Sequence, residues 1–232
     1  MNHLTWEDTV NFVSEIHTRE GGQPSRILYR MLADQCCREI AENTPIYRKS
    51  STNDGAEGSP VLTGNSVTLP ADVLSVDSVE WNDNTRPLDR TTTDQLDLLY
   101  PGWRADTGDP TAFCQPDSMT LLLNTIPSSP TANKLVIRGR AYLPLFSDTA
   151  TEPNPLEYFP VGQQLIVAYY ILANLPIVPV VPINDSPAAA ALAQFETQRR
   201  ADNRTTYKAK YDEMLLKLAT VDNRRKRKEF TY

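Results

Sequence analysis

The sequence is poor in the residues that carry most enzyme chemistry. It has two histidines, His3 and His17, and three cysteines, Cys36, Cys37 and Cys114, in 232 residues. So few imidazoles leave little for general-base catalysis or metal binding. His3 reads as a solvated residue near the chain start, and His17 as a helix-end residue near the negative pole of the dipole. Cys36 and Cys37 are adjacent in a helical pattern, where neighbouring side chains point about 100° apart and do not share one ion easily. Cys36 reads as core. Three cysteines cannot all pair within one chain, which points to reduced thiols made in a cytosol.

Glycine motifs are missing as well. There is no phosphate-cradling Gly-x-x-x-x-Gly-Lys loop, no dinucleotide fingerprint and no Gly-x-Ser-x-Gly elbow. Carboxylates are plentiful, but pairs such as Asp106/Asp109 or Asp94/Asp97 are what an acidic surface produces by chance. A glycosidase pair would need a defined separation across a cleft. No enzyme activity, metal or cofactor is expected. Residues 165–175 form the longest apolar run, too short for the roughly 20 residues of a membrane span. The start lacks the basic patch and apolar stretch of a signal peptide, so a soluble protein without membrane contact is expected.

What the chain does contain is a central stretch with strand periodicity. Apolar and polar residues alternate at Val79, Glu80 and Trp81, and again through Leu135, Val136, Ile137, Arg138, Gly139 and Arg140. Candidate strands fall at 61–63, 66–69, 75–81, 111–115, 119–123 and 134–142, with a turn at Asn82, Asp83 and Asn84. Residues 93–100 look like one or two helical turns stopped by Pro101 and Gly102. Residues 48–60 are polar and turn-forming and read as a mobile loop.

Helical patterns flank this stretch. Thr5 caps a first helix with Asp8 as its reciprocal partner, and Trp6, Val10, Val13 and Ile16/His17 form its apolar face. Gly21 and Gly22 stop it. Ser25 opens a second helix with Leu28, Leu32, Cys36 and Ile40 on one stripe and Met31 beside them, ended before Pro45. Residues 159–173 have almost no polar face, which predicts a helix buried on every side in a bundle or at a subunit contact. Residues 176–182, rich in proline, should lie extended along their own bundle or a neighbouring copy. Ser186 and Pro187 start a last helix running to about Val221. Tyr207, Tyr211, Met214, Leu218 and Val221 follow a packed-seam spacing, and the first four are the candidate subunit contact.

The resulting expectation is an α+β protein: an α-helical bundle of about four helices with an inserted small β-sandwich or barrel module and an extended C-terminal tail. Its parts would be 1–46, N-terminal helices; 47–143, the β-module; 144–222, C-terminal helices; and 223–232, a basic docking tail.

Net charge is −6, unevenly spread. From Gln198 onward eleven Lys/Arg face five Asp/Glu, a net +6, which leaves −12 for the preceding part. An acidic body should avoid nucleic acid over most of its surface, and a basic end should seek an acidic partner. The end consists of Arg224, Arg225, Lys226, Arg227 and Lys228, then Phe230 and Tyr232 as apolar anchors. Docking into an acidic groove of a protein is the leading reading. The alternatives are a charged, frayed end with no role and a nucleic-acid arm, though no stacking platform or reading helix accompanies the cations.

With those residues in view, the chain resembles the head-to-tail adaptor (connector) proteins of tailed bacteriophages, including the tail tubular protein A type. The likeness runs from about Arg26 to Leu175. It lies in the order of Leu69-Pro70-Ala71-Asp72, Val79-Glu80-Trp81, Pro87-Leu88, Trp103-Arg104, Gly108-Asp109-Pro110-Thr111, Leu121-Leu122-Leu123, Ile126-Pro127 and Leu135-Val136-Ile137-Arg138-Gly139-Arg140-Ala141, with a long helix after them. The resemblance implies a homo-oligomeric ring of twelve-fold symmetry at the head–tail junction of a virion, made in the bacterial cytoplasm. The ring would dock on the portal protein, offer a platform to a tail or nozzle protein, and pass DNA through its channel without specific binding. Adaptors of this type send their C-terminal segment into the portal. Residues 176–182 and 198–206 have no counterpart in the family's pattern.

Overall fold

The computed structural model describes residues 3–81, 87–128, 134–146, 154–183 and 186–229, with side chains described as far as Thr220. The chain divides into two compact units, Met1–Ile46 with Leu143–Tyr232, and Tyr47–Tyr142.

The first unit is helical. Helix α1 (Trp6–Arg19) starts at a capping box in which the Asp8 backbone N–H donates to Thr5 Oγ1 at 3.1 Å and the Thr5 N–H donates to Asp8 Oδ2 at 2.9 Å. The Thr5 hydroxyl and then the Thr5 N–H, both donating to Asp8 Oδ2, favour the ionised form and hold the carboxyl below the usual range. Helix α2 (Arg26–Asn43) buries Tyr29, Ala33, Cys36, Cys37 and Ile40. Its buried stripe is therefore turned from the one expected: Leu28 and Leu32 are half-buried, and Met31 is 64% exposed. Two 3₁₀ turns, Pro155–Tyr158 and Val161–Gln163, precede α4 (Ile166–Asn174). Helix α5 (Pro187–Glu229) is 43 residues long, about 64 Å at 1.5 Å per residue. Its first turn is capped by the Ala189 N–H donating to Ser186 Oγ at 3.1 Å.

Among the described residues the second unit holds eight strands in two sheets. Strands β1 (Arg48–Thr52), β8 (Leu135–Ala141) and β4 (Val73–Trp81) form an antiparallel sheet in the order β1-β8-β4. Strands β2 (Val61–Thr63), β3 (Ser66–Thr68), β7 (Thr120–Leu123), β6 (Ala112–Cys114) and β5 (Asp89–Thr91) form the other, in the order β2-β3-β7-β6-β5. Among the described strands, β5 and β6 pair in parallel. The alternation along β4 and β8 sends Val76, Val79, Trp81, Leu135 and Ile137 into one core with Val67, Phe113, Leu121 and Leu123 of the other sheet. Gly139 is required where β8 crosses the bulged β4, because a Cβ there would lie 2.0 Å from the Ser75 carbonyl oxygen. Helix α3 (Thr93–Leu99) covers the far face of the five-stranded sheet, packing Leu96 with Trp103, Ala112 and Cys114.

The architecture corrects the expected fold class. Among the described residues the chain is mixed α/β, with five α-helices, eight strands and one long C-terminal helix, and it is not a clear four-helix bundle with an extended tail. Residues 159–173 do not form one helix, because Pro155 and Pro160 fix their own φ and donate no hydrogen bond, so the run opens in 3₁₀ turns. The last helix does not stop at Val221 but continues to Glu229, since arginine, lysine and glutamate are good helix formers and cations suit a helix C-terminus. Residues 48–52, read as loop, are strand β1, and β5 had no counterpart in the expectation. The turn at Asn82, Asp83 and Asn84 lies outside the described residues.

Candidate assembly surface of the last helix

Helix α5 is tethered through its polar middle as well as through its apolar seam. Glu20, at the end of α1, pairs with Arg204 at 2.7 Å, with side chains 10% and 9% exposed, and accepts a further bond from Asn203 Nδ2 at 3.0 Å. Arg200 Nη1 donates to the Val178 carbonyl at 2.6 Å. Residues 198–206 thus reach back to the α1–α2 turn on one side and the proline-rich segment on the other. His17 sits inside the same contact, 3% exposed, with Nδ1 2.8 Å from the Tyr29 hydroxyl. Its Nε2 has no hydrogen-bond partner among the described residues and abuts Gly22, where a Cβ would come within 1.9 Å. Burial first, and then the Arg204 charge, push the His17 pKa down, with Glu20 opposing.

The seam that follows faces the chain's own helices. Tyr211 is 1% exposed, donates to Glu39 Oε1 at 2.9 Å, and meets Tyr170 edge-on with ring centroids 5.0 Å apart. Burial, then the neighbouring Cys36 and Glu39, push its hydroxyl pKa up, and the Tyr170 hydroxyl goes to about 12 mainly through burial. Tyr207 stacks on Tyr169 at 6.4 Å, and Leu218 is 4% exposed. Tyr211 and Leu218, expected at a subunit contact, are therefore taken up within the chain, while Tyr207 and Met214 are half-buried.

Helix α4 is enclosed in the same way. Ile166, Val167, Ala168, Ile171 and Leu172 are fully buried, and α4 packs against α1, α2 and α5 of the same chain. Of the two settings expected for it, a bundle or a subunit contact, α4 takes the first, because one copy supplies three covering helices. The proline-rich segment lies along its own α5, with the Val180 N–H donating to Thr197 Oγ1 at 3.1 Å. Between them runs a groove of about 520 Å³ lined by Ile177, Pro179, Val180, Ala190 and Ala193. Beside it Val181, Ile183, Leu192 and Phe195 are 60% exposed or more.

The basic end continues the helix as backbone to Lys228 and Glu229. The side chains of Arg224, Arg225, Lys226, Arg227 and Lys228, and the whole of Phe230 and Tyr232, lie outside what is described. Elsewhere, one member of each acidic pair has a structural partner: Asp97 accepts from Trp103 Nε1 at 2.8 Å and Arg104 at 2.6 Å, and Asp109 from Trp81 Nε1 at 3.0 Å. The three cysteines are buried, and among the described residues no three His, Cys, Asp or Glu side chains are grouped to hold a metal. No described helix is long and apolar enough to cross a membrane.

Reading the sequence missed Glu20, Arg200, Asn203 and Arg204. The one signal was spacing: Arg200 and Arg204 are one turn apart in a stretch too polar to pack, which fits paired burial as well as solvent exposure. No protein-family model matches the chain, and no curated protein matches it in sequence.

Proposed function

We propose that the protein is a structural adaptor of a tailed bacteriophage, forming a ring between the portal and the tail or nozzle with a channel through which DNA passes. The ring would take the portal's twelve-fold symmetry, and the chain would act by assembly and not as an enzyme. The order of motifs described above supports this reading, as does a β unit set between two parts of a helical one.

One observation carries it furthest. A single helix is fixed to its own unit by a buried ion pair at Arg204 and by Tyr211 and Leu218, then continues to Glu229. That continuation adds about 16 Å beyond Leu218 and bears five consecutive cations in sequence. A rigid, basic, anchored rod suits insertion into an acidic groove of a ring partner better than a flexible tail, because less chain entropy is lost on docking.

Deleting residues 224–232 tests it. The truncated protein should fold and fail to co-purify with portal rings, and binding by the full chain should weaken as salt rises. Retained portal binding after truncation would count against the reading. So would tight DNA binding by the isolated protein that is abolished when Arg224, Arg225, Lys226, Arg227 and Lys228 are neutralised.

A further inference from the structure

The β unit presents two opposite faces of different chemistry. Both sheets share one core, and α3 covers the side of the five-stranded sheet turned away from it, so α3 and the outer face of the three-stranded sheet lie on opposite sides of the unit. On that outer face Arg48, Arg138 and Arg140 stand in register, Arg48 beside Arg140 and Arg138 one pair along, against the carboxylates of Asp77 and Glu80. The Arg48 and Arg138 side chains are 48% and 57% exposed. Over α3 and the turn after it the balance reverses: Asp94, Asp97, Asp106 and Asp109 are exposed, with Arg104 as the one cation of residues 93–109. Among these carboxylates stand Leu98 and Leu99, 79% and 61% exposed.

We propose that these two faces meet between neighbouring copies, α3 of one chain seated on the outer face of the three-stranded sheet of the next. The occupant is a second copy because the faces differ in net charge, three arginines against two carboxylates on the sheet and four aspartates against Arg104 over α3, and the α3 face set against itself would bring carboxylates together. Leu98 and Leu99 would lie along the aliphatic stems of the arginines and beside Val136, which is half-buried on that face. A contact between two different faces on opposite sides of a unit is heterologous, and it closes into a ring when the rotation per copy allows. The inference deepens the ring reading and rests on it.

The test is disulfide capture in the full chain. Leu98→Cys and Arg138→Cys combined in one protein should give, under mild oxidation, a ladder of dimers, trimers and longer species on a non-reducing gel. Each single variant should stop at the dimer, since the native cysteines are buried. Separately, Arg138→Glu with Arg140→Glu should lower the ring population of the otherwise unchanged protein at least tenfold, and adding Asp94→Lys should restore part of it. If the unmodified protein forms rings but the double-cysteine variant gives nothing beyond the single variants, the contact is wrong and the ring reading stands. If the unmodified protein is monomeric both alone and with portal, both fall.

Discussion

Helices α4 and α5 pack against each other with sequences of opposite character. Helix α4 is apolar around its whole circumference, and α5 is polar through its middle. The first needs cover on every side, from its own bundle or from a subunit contact, and the second needs water or polar partners. Helix α4 is short enough for α1, α2 and α5 to surround it, which is the bundle burial its sequence allowed, while α5 leaves Gln198, Arg199, Asp202, Thr205 and Thr206 in water and turns Arg200, Asn203 and Arg204 toward the proline-rich segment and the α1–α2 turn. How much of a helix is covered depends on its length relative to its neighbours as much as on its composition.

That comparison breaks in a definite order. Replacing Arg204 by methionine should have the largest effect, about 3–5 kcal/mol of lost stability in urea unfolding, because Glu20 would be left as an uncompensated buried charge. Changing Glu20 to methionine as well should recover much of it. A loss below about 1 kcal/mol from the single change would mean that the polar middle does not hold the helix. Next comes Ile171→Ala in α4, expected to cost roughly 2–4 kcal/mol as a fully buried truncation, while Leu192→Ala on the exposed part of α5 should stay within about 0.5 kcal/mol. Equal costs at the two positions would show that α5 is covered where it is described as exposed.

Tyr211→Phe should be milder, about 1–2 kcal/mol, since it removes the bond to Glu39 but keeps the ring packed on Tyr170. The smallest effect is a pH dependence. The folded-state pKa of His17 lies below its ordinary value of 6.5, so the unfolded chain takes up the proton first as pH falls. Stability should be unaffected by this group above about pH 6.5 and should decline below it until the folded-state pKa is passed. In His17→Gln that part of the pH slope should vanish in unfolding midpoints measured from pH 7.5 to 5; an unchanged slope would assign it to other groups.

What was legible in the sequence follows from the same physics. Strands β4 and β8 could be read because their inner face is a continuous apolar series, and α1 because Thr5 and Asp8 cap it reciprocally. Strand β1 could not, because it lies at a sheet edge and its one fully buried side chain is Ser51, so Arg48, Lys49, Ser50, Ser51 and Thr52 look like a turn. The buried face of α2 was misjudged because Tyr29 and Ala33, and not Leu28 and Leu32, point inward. In the candidate assembly surface the cations of the last helix were visible, but their continuation of the helix was not, since the seam spacing ends at Val221. The Glu20–Arg204 pair joins residues far apart in the chain, and nothing local in either segment announces it.

Because α4 is covered within its own chain, the ring itself is the claim to measure. Native mass spectrometry of the full chain, alone and mixed with purified portal rings, addresses it directly. The account predicts a closed assembly at a multiple of 26.0 kDa, bound one ring per portal. A species of 26.0 kDa in both samples, with the portal mass unchanged, would contradict it.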